Sequence, residues 1–248
     1  MVYTESSIDA AASELQRLLD SSKSTVFFGG AGVSTESGIP DFRSVDGLYN
    51  QKYSVPPEEI LSHTYFTEHT EEFYRFYRDK LLPRGVFPNS AHKKLAQLEK
   101  AGKLDCVITQ NIDTLHRDAG SEKLLELHGT VSSYFCMKCK RKMGMECLAS
   151  KENVPKCLHC GGIMKPDVVL YEEQLDSDVC RKSISAIAEA DVLIVAGTSL
   201  TVYPAAGFVR YYNGNKLVLI NRDPTPLDGT ASMVCHISVG KLFERIKV

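Results

Sequence analysis

Three stretches of the chain carry side chains whose types and spacing can do chemistry. The first, "TVFFGGAGVSTESGIPDFR" from Thr25 to Arg43, runs an apolar strand into the glycine cluster Gly30-Ala31-Gly32-Val33-Ser34-Thr35. This is a Gly-x-Gly-x-x-Gly phosphate-binding fingerprint in which threonine replaces the third glycine. Backbone N–H groups of Gly30 to Gly32 can approach a pyrophosphate there, although plain turn glycines would look the same in sequence. No Asp or Glu stands at a strand end around Asn50, where a dehydrogenase would hold its ribose, so a conventional dehydrogenase is disfavoured. Pro40 keeps "GIPDFR" out of a helix. Beside a phosphate turn, a loop of Asp41, Phe42 and Arg43 offers an aromatic face and a cation. A surface loop with a buried phenylalanine fits those three residues equally well.

The second stretch is "ITQNIDTLHRDAG". The apolar run Cys106–Thr109 reads as a strand, and Gln110, Asn111 and Asp113 cluster at its carboxyl end, where open α/β sheets bind ligands. Asp113 also suits an N-cap for the helix that "TLHRDAG" predicts. Shortly after, "LLELHGTV" places His128 and Gly129 behind another apolar run. A histidine there is a candidate general base, because its ordinary pKa lies nearest neutrality. His116, within a helix and among charged neighbours, reads as structural.

The third stretch holds Cys136-x-x-Cys139 and Cys157-x-x-Cys160, the two pairs separated by 17 residues. That spacing fits a tetrahedral zinc site in which two knuckles each present two thiolates at about 2.3 Å. The other four cysteines stand singly, and Cys106 and Cys235, with apolar neighbours, read as small buried hydrophobes.

These residues need a scaffold, and strands alternating with helices predict a parallel α/β sheet covered on both faces. Its buried strands are expected at Thr25–Phe28, Cys106–Thr109, Val168–Leu170, Val192–Ala196 and Leu217–Ile220. Ile8, Ala12, Leu15, Leu18 and Leu19 form a helical stripe after a Ser7 cap. Ser90 is expected to cap "AHKKLAQLEKAG", which Gly102 closes, and Phe66 to Leu82 reads as a third, aromatic-rich helix. A cofactor loop and helical insert (38–88) and a cysteine-bearing module (134–166) interrupt this pattern. Residues 1–37, 89–133 and 167–248 are left to a Rossmann-like part, and the fold expected is α/β with a small inserted zinc-ribbon/helical domain. The module is short and loop-rich, so its stability is expected to come from its metal.

Composition sets the outer limits. With 43% hydrophobic and 24% charged residues, 248 residues suffice for one domain with an insert. The net charge of −2 gives no whole-protein attraction to nucleic acid or membrane. The absence of a long apolar run or a leader-like N-terminus predicts a soluble cytoplasmic protein.

Together these stretches resemble the sirtuins, the NAD-dependent protein deacylases, over nearly the whole chain, in the form of a bacterial-type single-domain member. The matching motifs are Gly30-Ala31-Gly32-Val33-Ser34 through Ser37-Gly38-Ile39-Pro40-Asp41-Phe42-Arg43, Thr109-Gln110-Asn111-Ile112-Asp113 with Leu115-His116, and His128-Gly129. The two cysteine pairs, Lys165-Pro166-Asp167-Val168-Val169, Gly197-Thr198-Ser199-Leu200 with Pro204-Ala205-Ala206, and Ile220-Asn221 follow in order.

The resemblance implies that Ala31, Thr35, Phe42, Arg43, Gln110, Asn111, Ile112 and Asp113 line an NAD pocket, with Ile112 and Asp113 facing the nicotinamide amide. It implies a catalytic set of His128, Asn111 and Asp113, with His128 as base on the ribose hydroxyls. Thr198, Ser199 and Asn221 would contact phosphate or the adenosine ribose, and Val169 and Tyr171 would pair with an extended peptide. The implied reaction takes acetyl from lysine to give 2′-O-acetyl-ADP-ribose and nicotinamide. Zinc on Cys136, Cys139, Cys157 and Cys160 would be structural, since four thiolates leave no open position. Longer-chain deacylation or ADP-ribosyl transfer at the same site, and a non-catalytic NAD-binding module, are the alternatives.

Two departures from the family pattern stand out. Tyr171-Glu172-Glu173 replaces the usual Phe-Gly-Glu, which puts a glutamate beside the peptide path. Tyr74-Arg75-Phe76-Tyr77 lacks the Tyr-x-x-Arg that holds succinyl or malonyl carboxylates, and Arg78 lies about 100° further round a helix. Acetyl or a longer neutral acyl group is therefore favoured.

Overall fold

The computed structural model describes residues 1–41, 55–149 and 153–248. Phe42 and Arg43 lie outside the described residues. Elements follow in chain order: β1 (Val2–Thr4), α1 (Ile8–Ser21), β2 (Thr25–Gly29), α2 (Pro57–Ile60), α3 (His63–Glu68), α4 (Thr70–Phe76), α5 (Ser90–Lys100), β3 (Cys106–Thr109) and α6 (Leu115–Asp118). After these come β4 (Leu124–Glu126), β5 (Gly129–Cys136), β6 (Lys142–Met143), β7 (Met164–Val168), α7 (Ser177–Glu189), β8 (Val192–Ala196), β9 (Lys216–Ile220), β10 (Met233–His236) and α8 (Val239–Glu244).

Seven strands form one sheet in the order β1-β10-β9-β8-β2-β3-β4, and every neighbouring pair is parallel. Starting from β2, the chain steps outward to β3 and β4, then returns to build β8, β9 and β10 on the other side. This reversal is the Rossmann topology, and it opens a crevice at the carboxyl ends of β2, β3 and β8. Side chains alternate across the sheet: Phe27 joins α1, α5 and α8 on one face, while Val26 and Phe28 join α7 and the 3-10 helix Ala205–Tyr211 on the other. β2, β3 and β8 are buried at every position, as a sheet covered on both faces requires.

The run Val168–Leu170 does not belong to this sheet. β7 ends at Val168 and pairs antiparallel with β5 in a separate three-stranded sheet, ordered β6-β5-β7. Burial against helices α2 to α4 gives those residues the same apolar signature that a central strand would have. The two interrupting segments share one core, in which Phe66, Phe73, Tyr74 and Tyr77 pack with Val131, Tyr134, Met164 and Leu170.

Three local expectations are corrected as well. Asn89, not Ser90, caps α5, accepting from the Ala91 and His92 amides at 2.9 and 3.4 Å. Ser7 turns its hydroxyl back to the Thr4 carbonyl and does not cap α1. The aromatic helix breaks at His69 into α3 and α4, with a wide turn at Tyr77–Leu81. The Ile8–Leu19 stripe and the Gly102 terminus, at φ +73°, agree with the sequence reading.

Candidate active site

The glycine turn leaves β2 and runs against the turn that follows β8. Gly30 and Gly32 donate their amides to the Ala196 and Gly197 carbonyls at 3.1 and 2.8 Å. A Cβ on Gly32 would lie 2.7 Å from Gly197 Cα, and one on Gly30 2.7 Å from Thr198 Cβ. These glycines therefore allow two backbones to meet, and of the three amides first expected at phosphate only that of Ala31 stays unengaged. Two 3-10 turns follow, Ala31–Val33 and Thr35–Ser37, closed by Gly38 at φ +89°. With no long helix to seat on the sheet, the third glycine is dispensable, and Thr35 bonds the Gly32 carbonyl at 3.0 Å instead.

At the end of β3, Gln110 reaches across to Thr198 Oγ1 at 3.0 Å. Asn111 donates to Ser34 Oγ at 3.0 Å, and that hydroxyl donates on to Asp113 Oδ2 at 2.8 Å. The other Asp113 oxygen accepts from the Leu115 amide at 3.0 Å, so the capping and site roles coexist. Burial pushes the Asp113 carboxyl up, against the pull of the Leu115 and Ser34 bonds. Behind Ser34 stands buried His92, its Nε2 3.4 Å from the hydroxyl and its pKa depressed by burial to about 4. His116 packs edge-on against it at 4.6 Å and is buried.

His128 projects from the link between β4 and β5. Its Nδ1 lies 2.7 Å from the Gln110 carbonyl, which can only accept, so Nδ1 carries the proton and Nε2 keeps its lone pair. Burial lowers its pKa, and the Gln110 bond raises it by less. Gly129, at φ +73°, lies so close to β7 that a Cβ would meet the Asp167 carbonyl at 1.9 Å. The Val169 amide then bonds the His128 carbonyl at 3.0 Å.

From Val169 onward the chain forms one wall of a cavity of about 450 Å³. Tyr171 is paired with Leu61 and His63 through backbone bonds of 3.0 Å. Lys165, only 3% exposed, gives its ammonium to Glu173 Oε2 and the Val168 carbonyl, both at 2.9 Å. Glu173 also accepts from the Leu170 amide and touches His63 Nδ1 at 2.8 Å. Opposite, the Asn221 amide interlocks with the Thr198 backbone through bonds of 3.0 and 2.6 Å. Ala31, Thr35, Gln110, Asn111, Ile112, His128, Val169, Tyr171, Thr198, Ser199 and Asn221 all line this cavity. Asp113 does not; it stands behind the lining, bonded to Ser34. Ser34, Lys165 and Glu173 were not singled out in sequence, although Ser34 sits in the glycine turn and the other two flank the Val-Val segment.

At the far end of β5, the sulfurs of Cys136, Cys139, Cys157 and Cys160 lie within 4.8 Å of one another. Cys136 and Cys160 are 3.5 Å apart, and Cys139 and Cys157 3.7 Å. A tetrahedral zinc with 2.3 Å bonds needs about 3.8 Å between sulfurs, so the set fits. The Cys139 amide, donating to Cys136 Sγ at 3.4 Å, lowers that thiol's pKa and favours the thiolate.

The sequence model of the Sir2 family matches residues 30–204. The chain belongs to the Sir2 family. It is 53% identical over 236 residues to an NAD-dependent protein deacetylase of Clostridium acetobutylicum, covering 94% of this chain and 96% of that one. To its Clostridium tetani counterpart it is 54% identical over 232 residues, covering 92% and 94%. A solved Sir2 with a deacetylated p53 peptide and 3′-O-acetyl ADP ribose superposes with TM-score 0.86 at 41% identity, covering 94% and 96%. Another, with p53 peptide and NAD+, gives 0.82 at 40% identity, covering 94% and 95%. Among the described residues of this Sir2-family chain, no helix is long and apolar enough to cross a membrane.

Proposed function

We propose that this chain is an NAD-dependent protein lysine deacetylase, converting acetyl-lysine, NAD and water to lysine, nicotinamide and O-acetyl-ADP-ribose. The observation that carries this reading is the imidazole of His128. Gln110 fixes its tautomer, so Nε2 keeps a basic lone pair on a residue that lines the cavity together with Asn111 and Ala31. One end of this cavity suits a dinucleotide and the other an extended peptide. Ala31, Thr35, Thr198 and Ser199 stand at the glycine-turn end, where the Ala31 amide can meet a pyrophosphate. Gln110, Asn111 and Ile112 border the position where the nicotinamide ribose must sit for His128 to take a proton from its hydroxyls. Asp113, through Ser34, holds Asn111 in place. Val169 and Tyr171 present the wall along which an acyl-lysine peptide lies; the Val169 carbonyl is open to its backbone, while both backbone groups of Tyr171 are taken by Leu61 and His63.

The acyl group is acetyl or a longer neutral one. Tyr74 is fully buried and its hydroxyl donates to the Met164 carbonyl, while Arg78 donates to the Asn153 carbonyl at 2.9 Å. Neither lines the cavity that holds His128. Zinc on the four cysteines holds the turns of the small sheet, and eight cysteines with none in a disulfide suit a reducing compartment, the cytoplasm.

The test is product analysis by mass spectrometry after mixing the protein with NAD and an acetyl-lysine peptide. Deacetylated peptide, nicotinamide and O-acetyl-ADP-ribose in equal amounts are expected. ADP-ribosylated protein without deacetylation would overturn the assignment in favour of ADP-ribosyl transfer.

A further inference from the structure

We infer that Glu172 makes this enzyme select substrates with a basic residue within two positions of the acetylated lysine. The inference rests on the deacetylase reading. Glu172 directly follows the wall segment that ends at Tyr171, and it borders the cavity. Its φ of +74° lies in the left-handed region, which a residue with a side chain rarely adopts. A carboxylate placed there has a specific geometry. Oε2 accepts from both the amide and the hydroxyl of Thr64, at 2.9 and 2.8 Å, so the head group is held at the rim and not free to swing. The same two bonds lower its pKa and keep it ionised. Oε1 takes part in neither bond, and the residue is exposed.

Of the charges around it, only His63 acts on this anion, and the Nδ1 of that ring is already on Glu173. Glu173, next in sequence, is matched by the buried Lys165 ammonium. Asp41 faces Arg222 at 3.8 Å. No described cation lies within ion-pair distance of Glu172. A bound dinucleotide adds the negative charge of its pyrophosphate to the same cavity. In an extended peptide, side chains two residues apart share a face at about 7 Å, a span that the flexible stem of lysine or arginine covers. The ligand chemistry that answers a fixed, half-used carboxylate on this rim is therefore an ammonium or guanidinium of the substrate peptide.

The experiment compares matched acetyl-lysine peptides with Arg, Ala or Glu placed at each of the two positions on either side. kcat/KM is measured with saturating NAD at low and high salt, and fluorescence anisotropy of the labelled peptides reads the preference without turnover. For an exposed pair, the wild type should favour the basic over the acidic peptide about 3- to 5-fold at low salt and less at high salt. Glu172→Gln should bring that ratio to about one, each variant being referred to its own alanine peptide. Glu172→Gly, which suits the left-handed backbone, removes the charge without straining the turn and should do the same. Equal use of basic and acidic peptides by the wild type, or a preference that survives in both variants, overturns the inference. Loss of NAD-dependent turnover with every peptide would instead strike the deacetylase reading.

Discussion

The Nδ1 atom of His128 lies 2.7 Å from the main-chain carbonyl of Gln110, the residue that also reaches Thr198 across the crevice. One bond thus sets the tautomer of the candidate base and ties it to the strand ends proposed to hold the dinucleotide. Because burial depresses the His128 pKa, the imidazole stays neutral below the usual value of about 6.5. Activity requires the neutral form, so it falls as pH drops through that lowered pKa. The acid limb of the kcat/KM profile should have its midpoint below pH 6.5; a midpoint above it would contradict the depressed pKa.

Lys165 and Glu173 predict a positioning effect. The buried ammonium ties Glu173 to the Val168 carbonyl, and Glu173 holds the Leu170 amide, so both fix the peptide wall without entering the cavity chemistry. Lys165→Met takes the buried ammonium from Glu173, leaving that carboxylate only the Leu170 amide and His63, and should destabilise the fold by about 2 kcal/mol in urea unfolding. Glu173→Gln, which keeps part of the hydrogen bonding, should raise KM for peptide several-fold with little change in KM for NAD. Equal shifts in both constants would argue against a role confined to the peptide wall.

The four thiolates predict one zinc per chain. Cys136→Ser, or prolonged chelation, should release the metal and unfold the small sheet, seen as loss of zinc by atomic absorption and a lower melting temperature. Retention of the fold and activity without metal would contradict a structural role.

Stability should depend on pH through His92. Its pKa is about 4 in the folded chain because burial penalises the charged form, against about 6.5 unfolded. The unfolded state binds the extra proton between those values, so the contribution of His92 to stability falls as pH drops from 6.5 to 4 and levels off below. His92 alone contributes about 3 kcal/mol of that loss, and buried His116, its pKa also lowered, acts in the same direction. Urea midpoints measured across this window check the sign. A flat profile would show that these rings are not buried as described.

The parallel sheet was legible because β2, β3, β8 and β9 are continuous apolar runs, and the zinc site because ligand spacing survives any loop geometry. Val168–Leu170 misled because an apolar run records burial but not which sheet or helix provides it. Edge strand β1, with no buried position, left no pattern to read. In the site, the residues at strand ends were visible by type and place. What linear sequence hides is pairing across the fold. That Gly30 and Gly32 give their amides to the β8 turn, or that Ser34 joins Asn111 to Asp113, depends on contacts between residues up to 166 positions apart, and on no local periodicity.

The most direct test of the account is single-turnover formation of O-acetyl-ADP-ribose from NAD and an acetyl-lysine peptide by the wild type and by His128→Ala. The loss of a general base should slow product formation by about 100-fold or more, with zinc content and melting temperature unchanged. Near-wild-type turnover by His128→Ala would contradict it.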